Sequence, residues 1–173
     1  ESSVPMAPMR SSKCWWDVKT VLPERFKEIV RTGDILLFRT PGAMPSFIRS
    51  CSGGRFDHVA LLLRLEGGRI GLLEATGNKG VELCTWDDFL HHDWHLIYYE
   101  LALRRVGFDR TVDRIFALQT WAASVIGKPY KLTVGRLLQR KSVTQGGAAN
   151  DGAYFCSQLV AEALKVVDVL PRG

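Results

Sequence analysis

An α+β fold with an antiparallel sheet is the expectation, and three observations lead to it. Short apolar runs bounded by glycine turns crowd residues 33 to 103. The longer helical periodicities lie on either side of that block, and no internal repeat divides the chain. Strands in series flanked by helices build antiparallel sheets, whereas strict alternation with helices would imply a parallel one. A chain of 173 residues suits a single domain, 1–173. At that size it buries about 70% of its unfolded surface without a metal or disulfide staple.

Residues 1–13 are polar and carry Met and Pro, which reads as a flexible arm. From Trp15 to Val30 the positions Trp15, Val18, Leu22, Phe26 and Ile29 recur at helical intervals, with Pro23 marking a break near the middle. Gly33-Asp34 punctuates, and Ile35 to Phe38 is the continuous apolar run of a buried strand. Pro41 to Arg55 reads as a loop with one helical turn at Phe47-Ile48.

Val59 to Leu65 is a second strand, Glu66-Gly67-Gly68-Arg69 a turn, and Ile70 to Ala75 a third strand. Gly77 to Gly80 turns the chain into Val81 to Cys84. Thr85 then caps a brief helix to Leu90 with Asp87 and Asp88 in its first turn. Leu96 to Leu103 returns to strand character.

Asp109 to Ile126 is the clearest helix, with Val112, Ile115, Phe116, Ala122, Ala123 and Ile126 on one side and Gly127 and Pro129 ending it. Residues 131–152 lose periodicity, and a stretch that long suggests an active-site loop. Ser157 to Val167 closes the chain as a helix with Leu159, Val160, Ala163, Leu164 and Val167 on one stripe.

Composition narrows the function classes. The longest apolar runs, Val59 to Leu63 and Ile35 to Phe38, fall far short of the roughly 20 residues that span a bilayer. With no leader-like apolar run at the N-terminus, a cytoplasmic setting is the expectation, with a peripheral membrane contact left open. The net charge of +5 is spread thinly and no nucleic-acid-binding signature accompanies it. A plain solvated basic face explains it better than nucleic acid does, although an anionic membrane or acidic substrate would also suit it. Trp15, Trp16 and Trp94 fit either core packing or a membrane-contacting edge.

The four cysteines, Cys14, Cys51, Cys84 and Cys156, are too far apart for a CxxC pair or a disulfide framework, so free thiols are expected. His91 and His95 would share a helical face, yet no further ligands are spaced nearby, so no metal and no other cofactor is expected. Cys51 and Cys84 read as structural.

One cysteine is different. Cys156, within Tyr154-Phe155-Cys156-Ser157-Gln158-Leu159-Val160, falls at the first turn of the last helix. There the helix dipole favours a thiolate and unpaired N–H groups face a developing oxyanion. The plain alternative is a small buried core cysteine. His58, in Phe56-Asp57-His58-Val59-Ala60-Leu61, opens the second strand, where an imidazole can serve as general base or simply be a satisfied structural histidine.

Glu74 is an acidic residue among apolar neighbours in Leu72-Leu73-Glu74-Ala75-Thr76, costly unless partnered. If residues 66–68 form a three-residue turn, Glu74 falls opposite Ala60 on the face of His58; a two-residue turn would put it on the other face. The favourable register gives the logic of nucleophile, base and orienting group. Tyr154 and Tyr130 are candidate pocket residues or ordinary rim tyrosines. Asp57 is a candidate substrate contact or a turn residue fixing the strand start.

Gly33-Asp34-Ile35-Leu36-Leu37-Phe38, Phe56-Asp57-His58-Val59-Ala60, Leu73-Glu74-Ala75, Gly127-Lys128-Pro129-Tyr130 and the Cys156 motif, in this order, resemble the circularly permuted NlpC-type papain-like hydrolases. These form the YiiX-like group, related to the lecithin–retinol acyltransferase family. The likeness runs from about Gly33 to Leu164. It implies a papain-like core in which the histidine strand precedes the cysteine helix, with Cys156 as nucleophile, His58 as base and Glu74 as the third polar residue. The implied function is a thiol hydrolase or acyltransferase cleaving an amide or ester in a peptide, lipid or lipid-modified substrate through a cysteine acyl-enzyme. A catalytically silent peptide- or lipid-binding module on the same fold is the alternative.

Overall fold

The computed structural model describes residues 21–42, 45–46, 54–77, 79–129 and 156–172. The expected arm at 1–13, the loop at 131–152, and Tyr130 and Tyr154 lie outside them.

Five strands form one sheet in the order β4-β3-β2-β1-β5. They are β1 (Ile35–Arg39), β2 (His58–Arg64), β3 (Ile70–Thr76), β4 (Gly80–Thr85) and β5 (Glu100–Arg104), and every pairing is antiparallel. The α+β expectation holds. The helices are α1 (Pro23–Ile29), α2 (Trp86–His91), α3 (Val112–Val125) and α4 (Cys156–Val166).

Layers cover both faces of the central strands. On one face Leu61, Leu63, Leu73 and Ala75 pack with Leu118, Ala122 and Val125 of α3 and Leu159 and Ala163 of α4. On the other, Ala60, Leu62, Leu72, Leu36 and Phe38 pack with Phe26 of α1 and Trp86 and Phe89 of α2. Two-sided burial is why β2 is a continuous apolar run rather than an alternating one. Each fully buried leucine contributes about 1.5–3 kcal/mol, so the centre of the sheet is the strongest part of the fold.

Residues 15–20 lie outside the described residues, and at the break expected around Pro23 the structure begins α1, the proline occupying the first helical turn, where no N–H is needed and its fixed φ suits the helix. Three sequence expectations need correction. The stripe on α3 is rotated. Leu118, Ala122 and Val125 are buried, while Val112 is 84% and Phe116 68% exposed. Spacings of three and four residues link the buried set, and Val112 and Phe116 fall off that line.

Strand character also begins later than Leu96, because Trp94–Ile97 is a 3₁₀ turn and β5 starts at Glu100. Finally, α2 ends at His91, and Asp93 takes a left-handed conformation (φ 54°). His91 and His95 therefore do not share one helical face.

At the far end of the sheet, Asp34 is fully buried. Its carboxylate accepts from the N–H groups of Arg31 (3.0 Å) and Val106 (3.2 Å) and from Arg110 Nη2 (2.8 Å). The same guanidinium donates to the carbonyls of Thr32 and Val106, each at 2.9 Å. Gly33 sits at φ +91°, and a Cβ there would lie 2.6 Å from the Phe108 ring. Together these contacts fasten the start of β1 to the segment after β5.

Beyond α3 the chain lies along β4. The Val81 N–H donates to the Lys128 carbonyl and the Gly127 N–H to the Val81 carbonyl, both at 2.8 Å. A Cβ on Gly80 would meet that Lys128 oxygen at 2.3 Å, so only glycine permits the approach. No helix among the described residues is long and apolar enough to cross a membrane.

Candidate active site

The chain reverses after β2 through Glu66–Gly68, with Gly67 at φ 70° as a left-handed turn requires, and the Leu65 N–H donates to the Arg69 carbonyl at 2.9 Å. This is the three-residue turn. It sets the register Leu61↔Leu73 and Leu62↔Leu72, and one step further along that ladder Ala60 faces Glu74. Alternation then puts His58, two residues before Ala60, diagonally across from Glu74 on one face.

The side chains meet accordingly. His58 Nε2 lies 2.6 Å from Glu74 Oε2, and the two side chains are only 18% and 12% exposed. With Nε2 turned to the carboxylate, Nδ1 is the nitrogen free to serve the thiol. His58 also makes a side-chain hydrogen bond with Cys156. Phe38, the β1 partner of His58, packs its ring 5.1 Å from the imidazole and limits how far it can swing.

Cys156 is the first residue of α4, and it is partly buried against the core of α3 and α4. The helix forms because Leu159, Val160 and Ala163 supply one buried stripe. α4 covers the face carrying Leu61 and Leu73, whereas His58 alternates onto the other face with Ala60 and Leu62. Thiol and imidazole therefore meet at the end of the sheet, where β2 begins.

The electrostatics of His58 are a contest. Burial works against its charge, but hydrogen bonds to Cys156 and Glu74, and the negative charge of both, outweigh it and raise the imidazole from 6.5 to about 9. Cys84 gives the contrast. It is a free, half-buried thiol on β4, pushed up to about 12 first by burial and then by the negative charge of Glu74, Glu82 and Asp88. Tyr98 packs its ring tilted against Phe38 at 4.8 Å, and burial, with Glu74 next, raises its phenol.

The structure thus brings Cys156, His58 and Glu74 together. Asp57 adjoins them, and its Oδ1 accepts from the Thr40 N–H at 2.9 Å, which pins the strand start. Cys14 and Cys51 lie outside the described residues. Among the described residues no group of three or more His, Cys, Asp or Glu is placed to hold a metal ion.

Sequence reasoning passed over three charged residues at this end. Glu100 opens β5 directly opposite Arg39, the last residue of β1. Its Oε2 accepts from Arg55 Nε at 2.9 Å, and Arg55 Nη2 lies 2.9 Å from Oε1 as an ion contact without a hydrogen bond, with Arg39 Nη1 at 3.9 Å. The usable signal was a charged residue closing an otherwise apolar strand beside the histidine.

Comparison with known proteins shows the family. The model of a family described as permuted papain-like amidase enzymes, YaeF/YiiX, C92 family, matches residues 29–170. The chain belongs to that family. Among solved structures it resembles one described as the metalloprotein YiiX from Escherichia coli O157:H7. The TM-score is 0.60 at 18% identity, covering 81% of this chain and 67% of that one. At that identity the likeness speaks for the fold. No curated protein matches the sequence. As a permuted papain-like amidase, the chain is of the cysteine-hydrolase kind, and its β2-before-α4 order is the permuted order of the family.

Proposed function

We propose that the chain cleaves an amide or ester bond through an acyl-enzyme on Cys156. The supporting observation is the His58 imidazole held between the Glu74 carboxylate at 2.6 Å and the Cys156 thiol. The sulfur, its proton already passed to His58, attacks the carbonyl carbon and forms a C–S bond. The Cys156 N–H, at the helix N-terminus, stabilises the oxyanion.

Collapse of the tetrahedral intermediate expels the amine or alcohol, which His58 protonates. Water then attacks the thioester, giving its proton to His58, and the acid leaves with the thiol restored. Glu74 holds the imidazole in the productive tautomer and orientation. The same intermediate delivered to an alcohol or amine instead of water makes the chain an acyltransferase. Its substrate is a peptide or a lipid-like acyl compound.

The test is alkylation by iodoacetamide near neutral pH, read residue by residue by mass spectrometry. Cys156 is expected to label faster than Cys84, and His58→Ala to slow it. Equal labelling of both thiols would overturn the reading.

A further inference from the structure

One apolar surface near the site is left open to solvent. Between α2 and β5 the chain makes the 3₁₀ turn Trp94–Ile97, and four large apolar side chains stand exposed there: Trp94, Leu96, Ile97 and Tyr99. Leu96, Ile97 and Tyr99 are each more than half exposed.

The segment is firmly held all the same. The Leu96 N–H donates to the Asp93 carbonyl at 3.0 Å, and the Tyr99 N–H to the Arg39 carbonyl at 2.8 Å. Tyr98 turns inward between its exposed neighbours, its ring 4.8 Å from Phe38 and stacked on Phe89 at 6.1 Å. Trp94 meets Phe89 edge-on at 6.5 Å and stacks with His92 at 5.0 Å. A fixed turn that keeps its apolar side chains outward presents a contact surface.

That surface lies at the reactive end of the sheet. Tyr99 bonds to Arg39, the residue after Phe38, and Phe38 pairs with His58. The rings of Tyr98, Phe38 and His58 follow one another at 4.8 and 5.1 Å.

Size and chemistry select what covers it. A stable protein interface takes about 800 Å² from each partner, roughly 20–30 residues a side, far more than one turn offers. A lipid surface asks less. A few aliphatic side chains enter the acyl boundary, while Trp and Tyr lie at headgroup level with ring in hydrocarbon and N–H or O–H in water. The turn has that composition, and it offers little net charge. Asp93 is the only Asp, Glu, Lys or Arg from 91 to 99. Lys79, whose Nζ lies 5.9 Å from the centre of the Trp94 ring, is paired with Glu82 at 3.3 Å.

We infer that the segment 94–99 docks the chain on a lipid surface, with Leu96 and Ile97 entering the acyl boundary and Trp94 and Tyr99 at the headgroups. The contact itself is independent of the chemistry at Cys156. Its consequence, that the ester or amide cleaved belongs to a lipid held in that surface, rests on the acyl-enzyme reading.

The experiment is co-sedimentation of the intact chain with phosphatidylcholine vesicles, with and without phosphatidylserine. The wild type is expected to partition onto phosphatidylcholine alone, with little change on adding phosphatidylserine or salt. Leu96→Ser and Ile97→Ser together should weaken partitioning about ten- to hundredfold, and Tyr99→Ser should weaken it less. Iodoacetamide labelling of Cys156 without vesicles should stay at the wild-type rate in both variants.

A wild type that stays in the supernatant overturns the inference, and so does undiminished partitioning by the variants. Binding that requires phosphatidylserine and is lost in high salt assigns the contact to the basic surface instead, with the same force. Self-association of the wild type without vesicle binding, abolished by the double substitution, would make the cover a second copy. If the double variant melts early, Tyr99→Ser carries the test. Slow iodoacetamide labelling of wild-type Cys156 would strike the acyl-enzyme reading alone and leave the docking surface standing.

Discussion

Asp34, just before β1, and Glu74, in β3, are carboxylates largely withdrawn from solvent on one sheet, and each holds a cation. Asp34 pairs with Arg110 at 2.8 Å and Glu74 with His58 at 2.6 Å, with side-chain exposures of 0% and 20% in the first pair and 12% and 18% in the second. Depth of burial therefore hardly separates them. Completion does. Around Asp34 both carboxylate oxygens have donors and the guanidinium spends its N–H groups on carbonyls. Around Glu74 the cation is an imidazole with a second nitrogen, and that nitrogen faces a thiol. A closed network locks two segments together, while an open one passes its influence on to a reactive atom.

Four measurements test this contrast. The largest effect belongs to the open pair: His58→Ala is expected to lower acyl-enzyme formation by the folded chain about 10²–10⁴-fold. Acylation at the wild-type rate in the folded His58→Ala chain would make the pair structural. Next, Asp34→Ala should cost about 3–5 kcal/mol in denaturant unfolding, since it strands a buried guanidinium. Cys156 in the molecules that remain folded should still alkylate at the wild-type rate.

A smaller loss follows from Glu74→Gln, which keeps the shape and removes the charge. Acylation should fall about tenfold or more through misorientation of the imidazole, with thiol alkylation less affected than in His58→Ala. The smallest effect is the pH dependence of stability. His58 titrates near 9 in the folded chain against 6.5 for the free side chain. Its contribution is thus fully present below pH 6.5 and is lost as the pH rises through 9. The difference in unfolding midpoint between wild type and His58→Gln should shrink over that interval, and a constant difference would contradict the raised imidazole.

Much of the sheet was legible because its signals are local. Gly67 and Gly68 mark a turn wherever they stand, and the Val59–Leu63 run needs burial on both faces in any fold. The bond between His58 and Glu74 was conditional in sequence, because a single residue more or less at 66–68 flips the face. Only the folded turn decides it. The stripe on α3 was misjudged because Val112, Phe116 and Leu118 are equally apolar, and the choice between them is made by the partners they meet. Arg39 and Glu100 were invisible for another reason. They are 61 positions apart and become neighbours only through the β1–β5 pairing.

The contact of residues 127–128 with β4 has a consequence of a different kind. An outer strand with free N–H and C=O groups is a template onto which a second chain can add. Here Gly127 and Lys128 already occupy part of that template, admitted by the bare Cα of Gly80. A side chain at position 80 would lift this cover and leave β4 open to strand addition, so the harm of Gly80→Val would show first as concentration-dependent aggregation.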